Sequence, residues 1–389
     1  MDSILQASTE EEGVDSNQIH ARQAKLFQGI EGSDLDGVVL TPGPSFRYFT
    51  GLDFHLSERP IVAWFMARGS IGFVLPEFES EKLNGMGFES TSVTYGENPA
   101  SWGEAFGSLS AALGLERSRI GAEPRGMRML ESGYIEAAAE GIRLVSAESL
   151  VSGIKVRKDE SEISSLREAV AFAQKALLNT LPQIQTGMTE LKVAGLLTSE
   201  TLEAGSDPQL PFSPIVGFGP NSALPHHFPT DRRLAEKDII LIDWGASKDG
   251  YSADLTRVFA AGEDLEPYQD VARIVAEANA VARRASGPGV EASLVDKSAR
   301  DVIDAAGMGA NFTHRTGHGL GLEGHEPPYI RGDNNEQLEP GMVFTIEPGI
   351  YFPGRYGVRI EDDIVVTQEG AESLTSLPRE ITRLSDYRR

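Results

Sequence analysis

The stretch from residue 239 to 258 constrains the fold most, because it sets two aspartates among apolar residues. An apolar run ends at Asp243, a glycine-containing turn follows, and a second run contains Asp254. A carboxylate beside buried apolar residues loses solvation, which is costly unless it is paired or binds a metal. Two carboxylates on adjacent strands also repel each other, and a divalent cation between them removes both costs. The alternative is a surface hairpin with both aspartates solvated.

Three other stretches carry polar side chains suited to chemistry. They are NSALPHH (221–227), HRTGHGLGLEGHEPPY (314–329) and VFTIEPGIYFPGRYGVRIEDDIV (343–365). The glycines of the second stretch let the backbone come close to a site. In the third, Glu347 and Glu361 each follow an apolar strand, as Asp243 does.

The candidate ligands form an oxygen-rich set of four carboxylates and one imidazole. The set comprises Asp243, Asp254, His318, Glu347 and Glu361. The chain has no cysteine, so a metal site must use His, Asp and Glu. Shared between two divalent ions about 3.5–4 Å apart, such ligands make a hydrolytic site. They favour Mn, Fe(II) or Co over metals that prefer thiolates.

The charge balance is strongly acidic, with 35 basic against 58 acidic residues and a net charge of −23. This average field repels nucleic acid, and no stripe of basic residues offsets it. Lysine is scarce, with 9 Lys against 26 Arg. Acidity with little lysine indicates adaptation to a high-salt cytoplasm, where self-repulsion is screened. An ordinary acidic cytosolic protein is the simpler alternative.

We expect no association with membranes. No apolar run approaches the roughly 18 residues of a membrane span. The N-terminal segment MDSILQASTEEEGVDS is acidic and lacks the basic-then-apolar pattern of a secretion signal. The expected location is therefore the cytoplasm.

Hydrophobic patterning predicts two domains, at residues 1–153 and 154–389, in an α+β arrangement. The first domain alternates helices with strands, which is typical of an α/β unit. Its predicted helices are 17–30, 99–113 and 127–140, and its predicted strands are 37–40, 61–67, 71–75 and 120–123. The segment TPGPS (41–45) is predicted to be a turn. Apolar residues then step by three and four from Ile163 to Leu177, which predicts an amphipathic helix. Further helices are predicted at 189–204, 265–285 and 292–306, and the segments 211–260 and 311–367 are β-rich.

The motifs together resemble one family. They are SALPH (222–226), LIDWGASKDGYSADLTR (241–257), GHGLGLEGHE (317–326), TIEPGIY (345–351) and GVRIED (357–362). In this order and spacing the chain resembles the aminopeptidase P/prolidase group of metallopeptidases. RYFTG (47–51) and KVRKDESEI (155–163) extend the likeness to the whole chain. The resemblance implies a C-terminal pita-bread catalytic domain after an N-terminal α/β creatinase-like domain.

The resemblance also implies a role for each site residue. Asp243 binds one metal, Asp254 and Glu361 bridge both, and His318 and Glu347 complete the other site. His226 and His325 correspond to the substrate-side histidines, and Glu347 to the group that accepts the water proton. Thr256 and Arg359, next to ligands, are expected to orient carboxylates. His227 is expected to be structural or on the surface.

The implied activity is hydrolysis of the Xaa-Pro peptide bond by a metal-bridging hydroxide. The substrates would be short peptides with proline in second position. Two divalent ions are expected, with Mn²⁺ favoured and Co²⁺, Fe²⁺ or Zn²⁺ as alternatives. The resemblance further implies a homodimer.

The subclass and the chemistry both leave alternatives open. Dipeptide-specific prolidases often carry an Arg soon after the HE motif, whereas this chain has Tyr329 there and Arg331 two positions on. That departure favours action on longer Xaa-Pro peptides, although Arg331 could substitute. A non-peptide hydrolase or lyase on the same binuclear scaffold is an alternative, and so is an inactive module that binds protein partners.

Overall fold

The computed structural model describes residues 16–388. The N-terminal segment on which the expected location depends lies almost wholly outside this range. The chain divides into two compact units, one up to Lys155 and one from Val156 onwards. This division lies two residues from the predicted boundary.

The first unit contains a mixed six-stranded sheet and, within the described residues, five α-helices. The helices are α1 Ser16–Glu31, α2 Pro44–Thr50, α3 Trp102–Leu113, α4 Met129–Ala138 and α5 Glu148–Lys155. The strands are β1 Gly37–Leu40, β2 Val62–Met66, β3 Ile71–Pro76, β4 Thr91–Tyr95, β5 Arg119–Ala122 and β6 Arg143–Ser146. The sheet order is β4-β3-β2-β1-β5-β6, in which β2 is antiparallel to both of its neighbours.

Two helices of the first unit differ from the sequence prediction. TPGPS was expected to form a turn, yet α2 begins at Pro44 with Gly43 as its N-cap. Proline is well suited to the first helical position, because the N–H that it lacks would be unsatisfied there anyway. The prediction also omitted α5, which occupies the eight residues before the second unit.

The second unit is built from two main sheets and two short hairpins. Its strands are β7 Ile215–Phe218, β8 Ile239–Trp244, β9 Ser247–Lys248, β10 Tyr251–Ser252, β11 Leu255–Ala260, β12 Gly317–Gly319, β13 Glu326–Ile330, β14 Val343–Ile346, β15 Gly349–Phe352, β16 Tyr356–Arg359, β17 Asp362–Val366, β18 Ala371–Ser373 and β19 Thr382–Arg383. One main sheet has the order β19-β11-β8-β7, and the other has the order β13-β12-β14-β17-β18. The hairpins are β9-β10 and β15-β16.

Four long helices accompany these strands in the described part of the second unit. They are α6 Glu160–Thr180, α7 Glu190–Ala204, α8 Glu266–Ala285 and α9 Ala292–Ala305, close to the predicted bounds. The start of α6 is fixed by a capping box, in which Asp159 accepts from the backbone of Glu162 and the Glu162 side chain accepts from the backbone of Asp159. Such reciprocal bonds satisfy N–H groups that the first helical turn leaves unpaired.

Strand β8 is buried on both faces, which explains why its sequence is an unbroken apolar run. Ile240 and Ile242 belong to the core formed with α6 and α7, whereas Ile239 and Leu241 belong to the core formed with α8 and α9. Successive side chains of a strand point to opposite faces, so one apolar run can serve both cores. No helix among residues 16–388 has the length and apolar character needed to cross a membrane.

Candidate metal centre

The five predicted ligands lie in strands of the second unit or near their ends. Asp243 is in β8 and His318 in β12, whereas Asp254 directly precedes β11, Glu347 directly follows β14 and Glu361 lies between β16 and β17. Their ligand atoms form three groups, each within 4.8 Å: Asp243 with Asp254 and Glu361, His318 with Glu347 and Glu361, and Asp254 with His318 and His325. Asp254 and Glu361 each belong to two groups. All five residues therefore converge, together with His325.

The two main sheets meet at the centre of this cluster through Thr256 and Glu361. The β8–β11 register sets Asp243 opposite Thr256. The Glu361 N–H donates to the Thr256 carbonyl at 3.2 Å, and the Thr256 hydroxyl donates to Glu361 Oε2 at 2.6 Å. Asp363 lies in β17, and its Oδ2 accepts a hydrogen bond from the backbone N–H of Asp254 at 3.1 Å. Backbone pairing thus positions Asp243 and Glu361, and the Asp363 side chain holds the backbone of Asp254.

The carboxylates of the cluster are too buried and too close together to be stable as unpaired anions. Burial, followed by repulsion from neighbouring carboxylates, raises the pKa values of Asp254 and Glu361 well above their ordinary range. Burial raises the pKa of Glu347 to about 7. Burial also raises the pKa of Asp243, although Arg359 opposes it. A cation at the centre would relieve this destabilisation.

His318 is oriented as a metal ligand would be. Its Nδ1 lies 3.1 Å from the Gly319 carbonyl, which can only accept, so Nδ1 carries the proton and Nε2 keeps its lone pair. Nε2 lies 3.7 Å from Asp254 Oδ2 and 3.6 Å from Glu347 Oε1, too far for hydrogen bonds. Burial, followed by the charge of His325, lowers the pKa of His318 well below its ordinary value, so the ring is neutral.

The separations and the unpaired oxygens fit a divalent ion. A metal–ligand distance of about 2.1 Å places neighbouring ligand atoms roughly 3–3.5 Å apart, close to the separations around His318 Nε2. The Oδ1 atoms of Asp243 and Asp254 are buried and have no hydrogen-bond partner among the described residues. Buried polar atoms are nearly always satisfied, so these two oxygens indicate ligands that the protein does not itself supply.

Arg359 connects several of these groups. Its Nη2 donates to Asp243 Oδ2 at 2.5 Å, its Nε to Thr256 Oγ1 at 3.1 Å and its Nη1 to the Tyr351 hydroxyl at 2.9 Å. Burial alone would lower the pKa of Arg359, but Tyr351 and Asp243 raise it well above its ordinary value. These contacts are those expected of groups that orient the carboxylates, as predicted for Thr256 and Arg359.

Comparison with known proteins identifies the family. Residues 164–368 match the model of metallopeptidase family M24, and residues 22–156 match that of the creatinase/prolidase N-terminal domain. This chain belongs to metallopeptidase family M24. It is 36% identical over 374 residues to a protein named probable dipeptidase PepE from Mycobacterium bovis, covering 94% of this chain and 96% of that protein.

Solved structures similar to this M24 protein cover both of its units. A dipeptidase from Pyrococcus horikoshii OT3 has a TM-score of 0.88 at 34% identity, covering 93% of this chain and 99% of that one. An Xaa-Pro dipeptidase from Bacillus anthracis has a TM-score of 0.85 at 30% identity, covering 94% and 99%. The predicted fold, a pita-bread domain after a creatinase-like domain, is confirmed, and so is membership of the aminopeptidase P/prolidase metallopeptidases.

The M24 site includes two polar residues that the sequence analysis did not select. His314 Nδ1 lies 2.7 Å from the Arg315 carbonyl and must donate to it, so the Tyr351 hydroxyl donates to His314 Nε2 at 2.8 Å. Burial lowers the pKa of His314 to about 4, which keeps the ring neutral. Tyr351 thus joins His314 to Arg359. Both residues lie within recognised motifs, but nothing in their spacing shows that they meet.

Glu190 is a further residue that sequence reasoning missed. It is fully buried at the start of α7 and accepts hydrogen bonds from the Phe218 N–H at 2.9 Å, from Asn221 Nδ2 at 2.9 Å and from the Thr230 hydroxyl at 2.6 Å. It also lies 2.9 Å from Nε2 of His227, which is 8% exposed. His227 therefore has the structural role expected for it, and Glu190 anchors both ends of the loop that carries His226.

The two predicted substrate-side histidines lie at the solvent side of the cluster. Both His226 and His325 are exposed. The His325 ring centroid is 3.9 Å from that of His318, and its ligand nitrogen belongs to the group with Asp254. Burial dominates the pKa values of Asp243 and His325, and His226 is close enough to both to make a small, lowering contribution. This location is open to a substrate that enters from solvent.

Proposed function

We propose that this M24 peptidase hydrolyses the Xaa-Pro bond of short peptides with two divalent metal ions. The observation that carries the proposal is the convergence of Asp243, Asp254, His318, Glu347 and Glu361 in one buried cluster. The neutral His318 and the unpaired aspartate oxygens support the metal requirement. The name of the Bacillus anthracis relative, an Xaa-Pro dipeptidase, supports the preference for proline.

The ligand set favours a hard or borderline ion, and Mn²⁺ is our proposed occupant. Asp243 would hold one ion, and His318 and Glu347 would hold the other. Asp254 and Glu361 would bind both ions, since each of these carboxylates belongs to two of the groups. When bound, the ions would lower the pKa of a water held between them and polarise the scissile carbonyl.

Glu347 is the proposed proton acceptor. Its carboxylate lies in the group with His318 and Glu361, and its side chain is 15% exposed. A partly exposed carboxylate within the cluster can contact both the attacking water and a substrate that enters from solvent. Glu347 would accept the proton of the attacking water and pass it to the proline nitrogen as the C–N bond breaks.

His226 and His325 are the proposed contacts to the substrate. Both are exposed beside the buried cluster, so their ring N–H groups can donate to the carbonyl oxygen as negative charge develops on it. The Glu190 anchor would hold the His226 loop in place for this role. His325 is positioned by its ring contact with His318.

The test is a paired assay on Xaa-Pro dipeptides and Xaa-Pro-Yaa tripeptides, with an Xaa-Ala dipeptide as control. The purified full chain would be assayed with added Mn²⁺ or Co²⁺, and after chelation, in dilute and in molar KCl. We expect metal-dependent cleavage of proline substrates and little cleavage of the control. No cleavage of any proline peptide under these conditions would reject the proposal and favour non-peptide chemistry.

Substitution of a ligand tests the metal assignment. Glu361→Ala should abolish turnover and metal retention, because Glu361 is shared by two of the ligand groups. Glu369→Ala, at an exposed glutamate, is the matched control and should behave as wild type. Full activity of Glu361→Ala would show that the ligand assignment is wrong.

A further inference from the structure

Arg315 is a half-buried cation beside the candidate metal centre. It follows His314 and lies three residues before His318. Its guanidinium carbon is 4.7 Å from the centroid of the Tyr329 ring, and its Nη2 lies 3.3 Å from His325 Nδ1. The guanidinium is therefore held by an aromatic face and an imidazole rather than by an acid.

No acidic side chain among the described residues neutralises the charge of Arg315. It forms no ion pair with any carboxylate among residues 16–388. Nη2 makes the only side-chain hydrogen bond of Arg315 in that range. Charged side chains are seldom withdrawn from water without a partner, so an unpaired guanidinium beside the buried cluster is suited to binding an anion. The other N–H donors of the planar guanidinium are available to a ligand.

The positive charge of Arg315 acts on side chains that are proposed to take part in the reaction. After burial, its charge is the largest influence that lowers the pKa of His325. Burial has the largest influence on the pKa values of His318 and Glu347, and the charge of Arg315 makes a smaller, lowering contribution to both. A negative group bound by Arg315 would therefore lie next to the residues proposed to contact the scissile bond.

The other cationic side chains near the cluster are already bonded to acidic side chains. Arg331, which sequence reasoning considered for substrate binding, is largely exposed and pairs with Asp333 at 3.0 Å. Arg300 is bonded to Asp296 at 2.7 Å, and Lys158 pairs with Glu326. Arg359 is bonded to Asp243. Arg315 differs from all four in having no acidic partner in the part of the chain that the structure describes.

We propose that Arg315 binds the free C-terminal carboxylate of a dipeptide substrate. A guanidinium binds a carboxylate through two parallel N–H···O bonds, and stacking on Tyr329 would hold its plane for this contact. The inference rests on the proposed Xaa-Pro activity and adds a substrate class to it. It makes this chain a dipeptidase, in contrast to the preference for longer peptides that Tyr329 alone suggested.

The experiment compares Ala-Pro, its amide Ala-Pro-NH2 and the tripeptide Ala-Pro-Ala as substrates of the metal-loaded enzyme. Wild type should prefer Ala-Pro to both others. Arg315→Gln should lose about 10- to 100-fold in kcat/KM on Ala-Pro, mainly through KM, because one charge-assisted contact is removed. On Ala-Pro-NH2 the same variant should lose less, so that the ratio of kcat/KM for Ala-Pro to that for its amide falls about 10-fold. Arg315→Lys should recover part of the loss.

Two controls separate substrate binding from structural damage. Arg331→Gln removes a nearby arginine that is paired with Asp333, and it should match wild type on all three substrates. Calorimetric titration with free proline and with prolinamide gives a readout apart from turnover. Arg315→Gln should weaken the binding of proline more than that of prolinamide, because only proline carries the carboxylate.

The possible failures are distinguishable. An equal loss on Ala-Pro and its amide would show that Arg315 acts through His325 and would overturn the inference, as would a wild-type preference for Ala-Pro-Ala. In both cases the proposed Xaa-Pro activity would stand. Absence of turnover of all three substrates by the wild type would reject the proposed function and this inference with it.

Discussion

Asp243 and Asp254, the two aspartates that mark the site in the sequence, are not equivalent in the structure. Asp254 belongs to two of the ligand groups and Asp243 to one. We therefore expect Asp254→Asn to lose both ions and Asp243→Asn to retain one, with kcat lowered more than about 100-fold in the first variant. Metal analysis after dialysis measures the stoichiometry, with the exposed Asp270→Asn as control. Equal retention by the two ligand variants would contradict the bridging role.

Metal binding should stabilise the protein more as the pH rises through the pKa of Glu347. Without metal, the folded state raises this pKa from 4.5 to about 7. Between pH 4.5 and about 7 the folded chain keeps the Glu347 proton, whereas the unfolded chain releases it. The contribution of Glu347 to the free energy of unfolding is therefore fully present below pH 4.5 and is lost as the pH rises towards 7. Metal removes the penalty by replacing the proton.

The measurement is the increase in melting temperature on adding Mn²⁺, at about pH 5.5 and about pH 7.5. We expect the larger increase at the higher pH. Glu361→Ala serves as the control, since it should show little response to the metal at either pH. An increase that does not depend on pH would contradict the linkage.

The convergence of the candidate ligands could be predicted from sequence because each lies in a short motif with its own pattern. Asp243, Glu347 and Glu361 all follow apolar runs, and His318 is set among glycines. Arg315 also lies in a motif, yet its lack of an acidic partner appears only once every neighbouring side chain has been placed. A missing contact leaves no pattern in the sequence.

At the scale of elements, α7 supports the loop that carries His226 through one buried carboxylate. Burial alone would raise the pKa of Glu190, but its hydrogen bonds, led by that from Thr230, hold it below the ordinary value. Glu190→Gln should destabilise the fold by about 2–4 kcal/mol, because an amide N–H₂ would face groups that are themselves donors. It should also lower kcat, since the loop loses its anchor.

Chemical denaturation measures the stability of this variant against Glu203→Gln, an exposed glutamate on the same helix. The control should lie within about 0.5 kcal/mol of wild type. Equal stability of the two variants would mean that the hydrogen bonds to Glu190 contribute nothing net.

The long helices and the apolar strands were predictable, whereas α2 and α5 were not. Amphipathic periodicity extends over many residues in α6, α8 and α9, so it gives a strong signal. The seven residues of α2 are too few for this, and the prolines of TPGPS suit a turn as well as a helix start. The pairing of the two main sheets through Thr256 and Glu361 joins distant residues and has no local signature.

At the scale of the whole molecule, the net charge of −23 predicts a dependence on salt. Molar KCl screens repulsion between exposed carboxylates, so the melting temperature should be higher there than in dilute buffer. A variant with the exposed Glu104, Glu116 and Glu203 changed to Gln should respond less to KCl. Higher stability of the wild type in dilute buffer would contradict the salt-adapted interpretation. The homodimer and the cytoplasmic location stay predictions.

The bridge between Thr256 and Glu361 also bears on when the protein becomes active during synthesis. A ribosome delivers Asp243 and Asp254 well before Glu361, and both groups that contain Glu361 stay incomplete until that residue has emerged. A nascent chain that has only its first aspartates cannot yet assemble the proposed centre. The proposed peptide cleavage therefore requires that Glu361 has been synthesised and has paired with Thr256, so it cannot begin on a nascent chain that contains only the β8–β11 sheet.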